Sequence, residues 1–238
     1  MKNLTDDIVL ITGADGGIGS ALTLEFIKRG VKKVYATGLS IERLDTLVNQ
    51  YPDRIISHQL DVTKIESIKN CASICSDTTI LINNAGVELK KSFLDKNASQ
   101  AALFEMKVNY LGVMDMIQQF LPILEKNENS TIVNILSIGS LAISKRLGTY
   151  CATKTAAHLL TESIREELSL KNIHVSGVYM GYVNTQMVTE DTKTKKSEPS
   201  DIAIGICNGI EKNLNHIFPD EMGKEFVKQN PIKTHYFD

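Results

Sequence analysis

Tyr150 and Lys154 lie four residues apart in Thr149-Tyr150-Cys151-Ala152-Thr153-Lys154. On a helix that spacing puts both side chains on one face. A phenol with its ordinary pKa of about 10 is a poor base near neutrality. An ammonium group held beside it favours the phenolate and brings proton transfer into working range. Tyr and Lys at this separation occur on many exposed helices, so the pair alone says little. A second feature gives it a context: Thr12-Gly13-Ala14-Asp15-Gly16-Gly17-Ile18-Gly19 joins an apolar run to an amphipathic one. Without side chains at Gly13, Gly17 and Gly19 the chain can turn tightly and approach a pyrophosphate closely, and its helix can pack on a sheet. The N-terminus of that helix aims amide groups and a positive dipole end at phosphate. A nucleotide cradle together with a tunable phenol points to hydride transfer.

The elements that must position these groups alternate along the chain. Apolar runs at 8–11, 33–37, 54–59, 79–83, 131–136 and 174–179 read as strands. Amphipathic stretches at 18–29, 41–51, 64–75, 150–170 and 201–212 read as helices, as does a long one at 100–126 with a kink expected near Pro122. Strands that are apolar throughout, rather than alternating, imply a parallel sheet covered on both faces. The polar stretch 185–200 reads as a surface loop or as a lid over a pocket. No internal repeat or linker breaks the pattern, so 1–238 is expected to form one domain.

Composition excludes several classes. A formal charge of −2 without a basic run gives no electrostatic reason to expect nucleic acid. No apolar stretch approaches the roughly 18 residues needed to span a bilayer. The N-terminus carries Asp6 and Asp7 and then enters a strand, which argues against a signal peptide and for a cytoplasmic protein. Four scattered cysteines and five scattered histidines match no metal-ligand or disulfide framework. Cys151, beside Tyr150, is a candidate for oxidation.

Taken together these residues resemble the short-chain dehydrogenase/reductase family, over residues 8–187. Gly13, Asp15, Gly17, Ile18 and Gly19 resemble its cofactor turn. Asp61 and Val62 are similar to the pair that touches the adenine ring, and Asn83-Asn84-Ala85-Gly86 to the segment beside the cofactor. Asn109, Ser137, Tyr150 and Lys154 have the order and spacing of its catalytic residues. The resemblance implies an α/β fold with a single Rossmann-type doubly wound parallel sheet of about seven strands, order 3-2-1-4-5-6-7, with helices on both faces. It also implies homodimers or homotetramers that pair helices 100–126 and 150–170.

Two positions depart from the family pattern. Pro-Gly after strand six is replaced by Met180-Gly181, which implies a looser loop, although Gly181, Val183 and Thr185 can still serve the nicotinamide. The end of strand two, Thr37-Gly38-Leu39-Ser40, has neither an acid for the adenosine ribose nor an arginine for a 2′-phosphate. Arg43 can reach a phosphate from the next helix, while the charge of Asp15 opposes one. The balance leans towards NAD(H) over NADP(H).

The implied chemistry is reversible hydride transfer between a secondary alcohol and a ketone or aldehyde. Tyr150 would be the acid/base, Lys154 would tune it and hold the ribose, and Ser137 would bond the substrate oxygen. Asn109 would hold a water that relays the proton. Ile138, Gly139, Ser140, Leu147, Tyr182 and the segment after Thr185 are candidate pocket residues, a mainly apolar set. A nucleotide-sensing regulator without turnover, and an epimerase or dehydratase, remain open alternatives on the same fold.

Overall fold

Val9 and Ile11 point to one side of the first strand and Ile8 and Leu10 to the other, and all four are buried. That alternation is what a strand covered on both faces requires. The computed structural model describes residues 2–187 and 195–232. Seven parallel strands form one sheet: β1 (Ile8–Ile11), β2 (Lys33–Gly38), β3 (Ile55–Gln59), β4 (Ile80–Asn83), β5 (Ser130–Ile135), β6 (Ile173–Val178) and β7 (His216–Ile217). Their order is β3-β2-β1-β4-β5-β6-β7. The expected Rossmann-type topology is therefore present.

Helices α1 (Gly17–Lys28), α2 (Ile41–Val48), α3 (Ile65–Ile74), α4 (Ala98–Met106), α5 (Gly112–Leu124), α6 (Gly148–Glu167), α7 (Pro199–Glu211) and α8 (Glu221–Gln229) complete the order. Phe26 and Leu22 of α1, Leu44 of α2 and Ile206 of α7 pack on the face of Val9 and Ile11. Ile68 of α3, Phe120 of α5 and Ile164 of α6 pack on the face of Ile8 and Leu10. Each fully buried side chain of this size contributes about 1.5–3 kcal/mol of transfer free energy. The two layers hold the carboxyl ends of β1, β4, β5 and β6 in one row, where doubly wound sheets bind ligands.

Local rules set the boundaries. Gly30, at φ +86°, turns the chain out of α1, and Pro199 starts α7 where its missing N–H has no helical partner. Observed ends differ from the expected ones by at most three residues. The long helical stretch differs more: α4 and α5 are separated by one π-helical turn, Lys107–Leu111. Pro122 lies in the last turn of α5, so the irregularity sits at Asn109 rather than near the proline. β7 has only two residues, too few to show a period, and α8 follows it directly.

Buried polar pairs fix the rotation of α6 against the sheet. Asn83 on β4 donates to Asn134 on β5 at 2.8 Å, and Asn134 donates to Thr161 on α6 at 2.9 Å. Further along, Arg165 of α6 donates to the carbonyls of Val175 and Asn215. His158 faces inward as well, its Nδ1 2.8 Å from the Tyr179 hydroxyl. Among the described residues no helix is long and apolar enough to cross a membrane.

Candidate active site

The glycine turn is built from both ends. Gly13 holds φ +65°, and a Cβ on Gly19 would lie 2.3 Å from the Gly13 carbonyl oxygen. Neither position accepts a side chain without moving the backbone. The Thr12 hydroxyl accepts hydrogen bonds from the amides of Asn84 and Ala85, at 3.0 and 2.9 Å. The Asn84 side chain donates to the carbonyls of Thr12 and Gly13 in return. The Asn-Asn-Ala-Gly segment is thereby locked to the turn, with Asn83 tied to β5 and Asn84 to β1.

At the adenosine end, Asp15 folds across the end of β2. One carboxylate oxygen accepts from the amides of Leu39 and Ser40, at 3.1 and 3.0 Å. The glycine turn thus places a carboxylate at the end of strand two, which has no acid of its own. Asp61 stands opposite. Burial pushes its carboxyl up, but hydrogen bonds from Thr63 and the nearby Lys64 hold it below the usual range. Gly13, Asp15, Gly17, Gly19, Gly38, Leu39, Asp61, Val62 and Ala85 all line one groove of about 810 Å³. Ile18, Asn84, Gly86 and Thr185 line both this groove and an adjoining cavity of about 510 Å³.

Ser137, Tyr150 and Lys154 meet in that second cavity, with Gly181 and Val183 across from them. Ser137 ends the run of β5 and caps the short turn Ile138–Ser140, its oxygen accepting from the Gly139 amide at 3.0 Å. Burial pushes the Tyr150 phenol up, the charge of Glu88 adds to this, and a hydrogen bond from Ser137 opposes both. The expected direction was downward, through Lys154. Lys154 instead donates to the Ile135 carbonyl at 2.8 Å, with Nζ 5.8 Å from the Tyr150 ring centre. Burial lowers the Lys154 ammonium to about 8. The two side chains share a helix face, as their spacing requires, but the ammonium is turned to the Ile135 carbonyl rather than to the phenol oxygen.

Asn109 does not line either cavity. Its carboxamide oxygen accepts from the Val87 amide at 2.8 Å, and its nitrogen donates to the Val87 carbonyl and to Thr153. Thr153 in turn donates to the Tyr150 carbonyl. The expectation that this side chain binds a relay water meets a group already engaged: it braces the loop after β4 against α6. Ser140 is likewise a turn residue rather than a pocket residue, buried with its hydroxyl accepting from the Ser137 amide at 3.3 Å. Ile138, Gly139, Leu147 and Tyr182 do line the cavity.

Sequence reasoning did not single out Glu88 or Met180 as cavity residues, whereas Met187 falls in the segment after Thr185 that it assigned to the pocket. Glu88 follows Gly86 by two positions, so continuing the Asn-Asn-Ala-Gly segment along the cavity would have found it. Cys151 is also on the wall, but burial and then the Glu88 charge push its thiol up. That lowers its reactivity relative to an exposed cysteine. The middle of the expected lid, 188–194, and the tail 235–238 lie outside the described residues.

The arrangement fits a dinucleotide on its own geometry: a groove floored by glycines at a helix N-terminus opens into a cavity holding a phenol, a hydroxyl and an ammonium. Comparison with known proteins agrees. The family model described as short chain dehydrogenase matches residues 7–196. A relative from Staphylococcus aureus strain USA300, called an uncharacterized oxidoreductase, is 30% identical over 228 residues, covering 91% of this chain and 98% of its own. A short chain dehydrogenase from Burkholderia cenocepacia J2315, solved in complex with NADP, superposes with a TM-score of 0.88 at 30% identity, covering 95% of this chain and 93% of its own. A short chain dehydrogenase/reductase from Burkholderia phymatum, solved with NAD, shares the fold over the full length of both chains (TM-score 0.83, 20% identity).

Proposed function

Because the chain belongs to the short-chain dehydrogenase/reductase family, oxidoreductases that use NADP(H) or NAD(H), we propose that it interconverts a secondary alcohol and a ketone or aldehyde of modest, mainly apolar character. The observation that carries this reading is the convergence of Ser137, Tyr150 and Lys154 in the cavity that adjoins the glycine-floored groove. The nicotinamide, when bound, supplies or accepts the hydride. Everything else falls to side chains of the chain.

In reduction, Tyr150 gives its proton to the carbonyl oxygen and Ser137 donates a hydrogen bond to the same oxygen, stabilising charge as it develops. In oxidation the phenolate takes the alcohol proton back. Lys154 would hold the nicotinamide ribose, and its charge stands 5.8 Å from the Tyr150 ring centre. Asn109 works by position, keeping the π turn and the loop at Val87 set against α6. Val183 and Thr185, both on the cavity wall, would hold the nicotinamide end of the cofactor. The walls supplied by Ile138, Leu147, Met180, Tyr182 and Met187 favour an apolar substrate. Residues 1–238 act as one domain, with 185–200 as the substrate loop.

A spectrophotometric screen of ketones and aldehydes with each reduced nicotinamide tests activity, cofactor and substrate class together. Turnover of apolar carbonyls is expected, and no cofactor oxidation with any of them ends the proposal.

NAD(H) is the cofactor this reading favours, for a reason that lies in Asp15. Its carboxylate takes the Leu39 and Ser40 amides, the donors that a 2′-phosphate would need, and puts a negative charge in that space. Asp15→Ser frees both amides and removes the charge. The ratio of kcat/KM for NADPH to that for NADH is expected to rise by roughly 10- to 100-fold, the scale of 1–3 kcal/mol. An unchanged ratio, or a wild-type preference for NADPH, refutes the assignment.

The helices expected to pair between subunits carry exposed apolar side chains, Leu103, Phe104 and Leu111 on α4–α5 and Leu159 on α6. Such a patch favours the homodimer or homotetramer reading. A monomeric mass in solution at micromolar concentration contradicts it.

A further inference from the structure

Gly181 opens the loop that carries Val183 and Thr185 into the cavity. Its amide donates to the Asp220 carboxylate at 2.9 Å, and the other carboxylate oxygen accepts from the Gly223 amide at 2.8 Å. Asp220 is buried, 6% exposed, and caps α8. Met222, on the same turn, fills the space over Gly181: a Cβ there would lie 2.3 Å from the Met222 sulfur. A Cβ on Gly223 would lie 2.7 Å from the Tyr179 carbonyl oxygen, so the start of α8 is pressed against the end of β6. The clamp also reaches the other wall, since the Met180 carbonyl accepts from the Ile138 amide at 3.0 Å. Residue 180 is where a proline would have stiffened the backbone, and Met180 leaves its φ free.

We propose that Asp220 is a positioning residue for the nicotinamide half of the cofactor site, holding the Gly181–Thr185 strip against the cavity in place of the missing proline. It touches neither cofactor nor substrate and acts through the Gly181 amide. A carboxylate is needed because two convergent N–H groups require two acceptor oxygens, and Asn supplies one. The strip is thereby set before binding, so less ordering is charged against affinity for the nicotinamide end. The adenosine end, held by the glycine turn and Asp61 on the far side of β1, is outside its reach. The proposal rests on the dinucleotide reading given above.

Binding, rather than turnover, separates the two. NADH and ADP-ribose, which lacks the nicotinamide, are titrated into the wild-type full chain and into Asp220→Ala and Asp220→Asn. For Ala, NADH is expected to bind about tenfold more weakly with ADP-ribose changed less than about twofold, and Asn should fall between. Equal NADH affinity in all three proteins overturns the role of Asp220 and leaves the dinucleotide reading standing. Parallel weakening of both ligands overturns it too, because Asp220 would then be only structural. Wild-type protein that binds neither ligand removes the reading and the proposal together. Amide exchange in the wild type gives a check that needs no variant: the Gly181 amide is expected to be protected, and exchange at the rate of an exposed loop amide refutes the clamp.

Discussion

Tyr150→Phe is expected to lower turnover by about 10²–10⁴-fold while leaving NADH affinity within about twofold, since the ring stays and only the transferable proton is lost. The direction of the Tyr150 shift sharpens the expectation. Burial and the Glu88 charge raise the phenol, so it keeps its proton across neutral pH. The protonated form is the one needed to reduce a carbonyl. Wild-type reduction should therefore be flat through neutral pH and fall only on the alkaline side. Oxidation needs the phenolate and should rise with pH over the same range. Stability should change by no more than about 1 kcal/mol, because the Ser137 hydroxyl that loses Tyr150 keeps the Met180 carbonyl as an acceptor at 3.5 Å. Initial rates in both directions, measured across pH with NADH titrations alongside, test all of this. Turnover within about threefold of wild type would remove Tyr150 as the proton donor.

What was legible in the sequence follows from how locally each feature is encoded. β1, β4 and β5 are short, wholly buried and central, with apolar runs at their cores, and the glycines of the first turn announce a conformation few other residues adopt. β7 carries no such signal, because two residues show no period and its place is set by pairing with Gly177 and Val178. The π turn was hidden for a related reason. It exists because Asn109 reaches across to Val87 and Thr153, contacts whose distance in sequence no helical pattern reports.

The site divides along the same line. Ser137, Tyr150 and Lys154, which touch the cavity, were found from the sequence. How they are held was not, because it depends on contacts between distant segments: Asp15 with Leu39 and Ser40, Lys154 with Ile135, Asp220 with Gly181. The expected fall in the Tyr150 pKa failed for the same reason. Helical spacing puts a cation and a phenol on one face, but which acceptor the cation chooses is decided by the strand beneath it.

Lys154→Met is expected to abolish most activity and yet raise stability. Lys154 is 5% exposed, and burial brings its ammonium from 10.5 to about 8. Below pH 8 both folded and unfolded chains hold the proton, and the folded state carries the whole penalty of the buried charge, about 3 kcal/mol. Between pH 8 and 10.5 the unfolded chain binds more proton than the folded one, so wild-type stability rises with pH through this window. Above it both are neutral and the penalty is gone. Met keeps most of the side-chain volume and removes the charge, but gives up the hydrogen bond to Ile135, about 1 kcal/mol. The net gain of about 2 kcal/mol near neutrality corresponds to a Tm higher by roughly 4–8 °C for a chain of this length. Turnover should fall by roughly 10²-fold or more, because ribose positioning and the charge that acts on Tyr150 go together. The diagnostic is the pH dependence of the Tm difference, which should be largest below pH 8 and shrink towards 10.5. A Tm difference that does not vary with pH would mean Lys154 is not the buried cation described here. A variant less stable than wild type at every pH would make the lysine a structural residue, with no stability given up for chemistry.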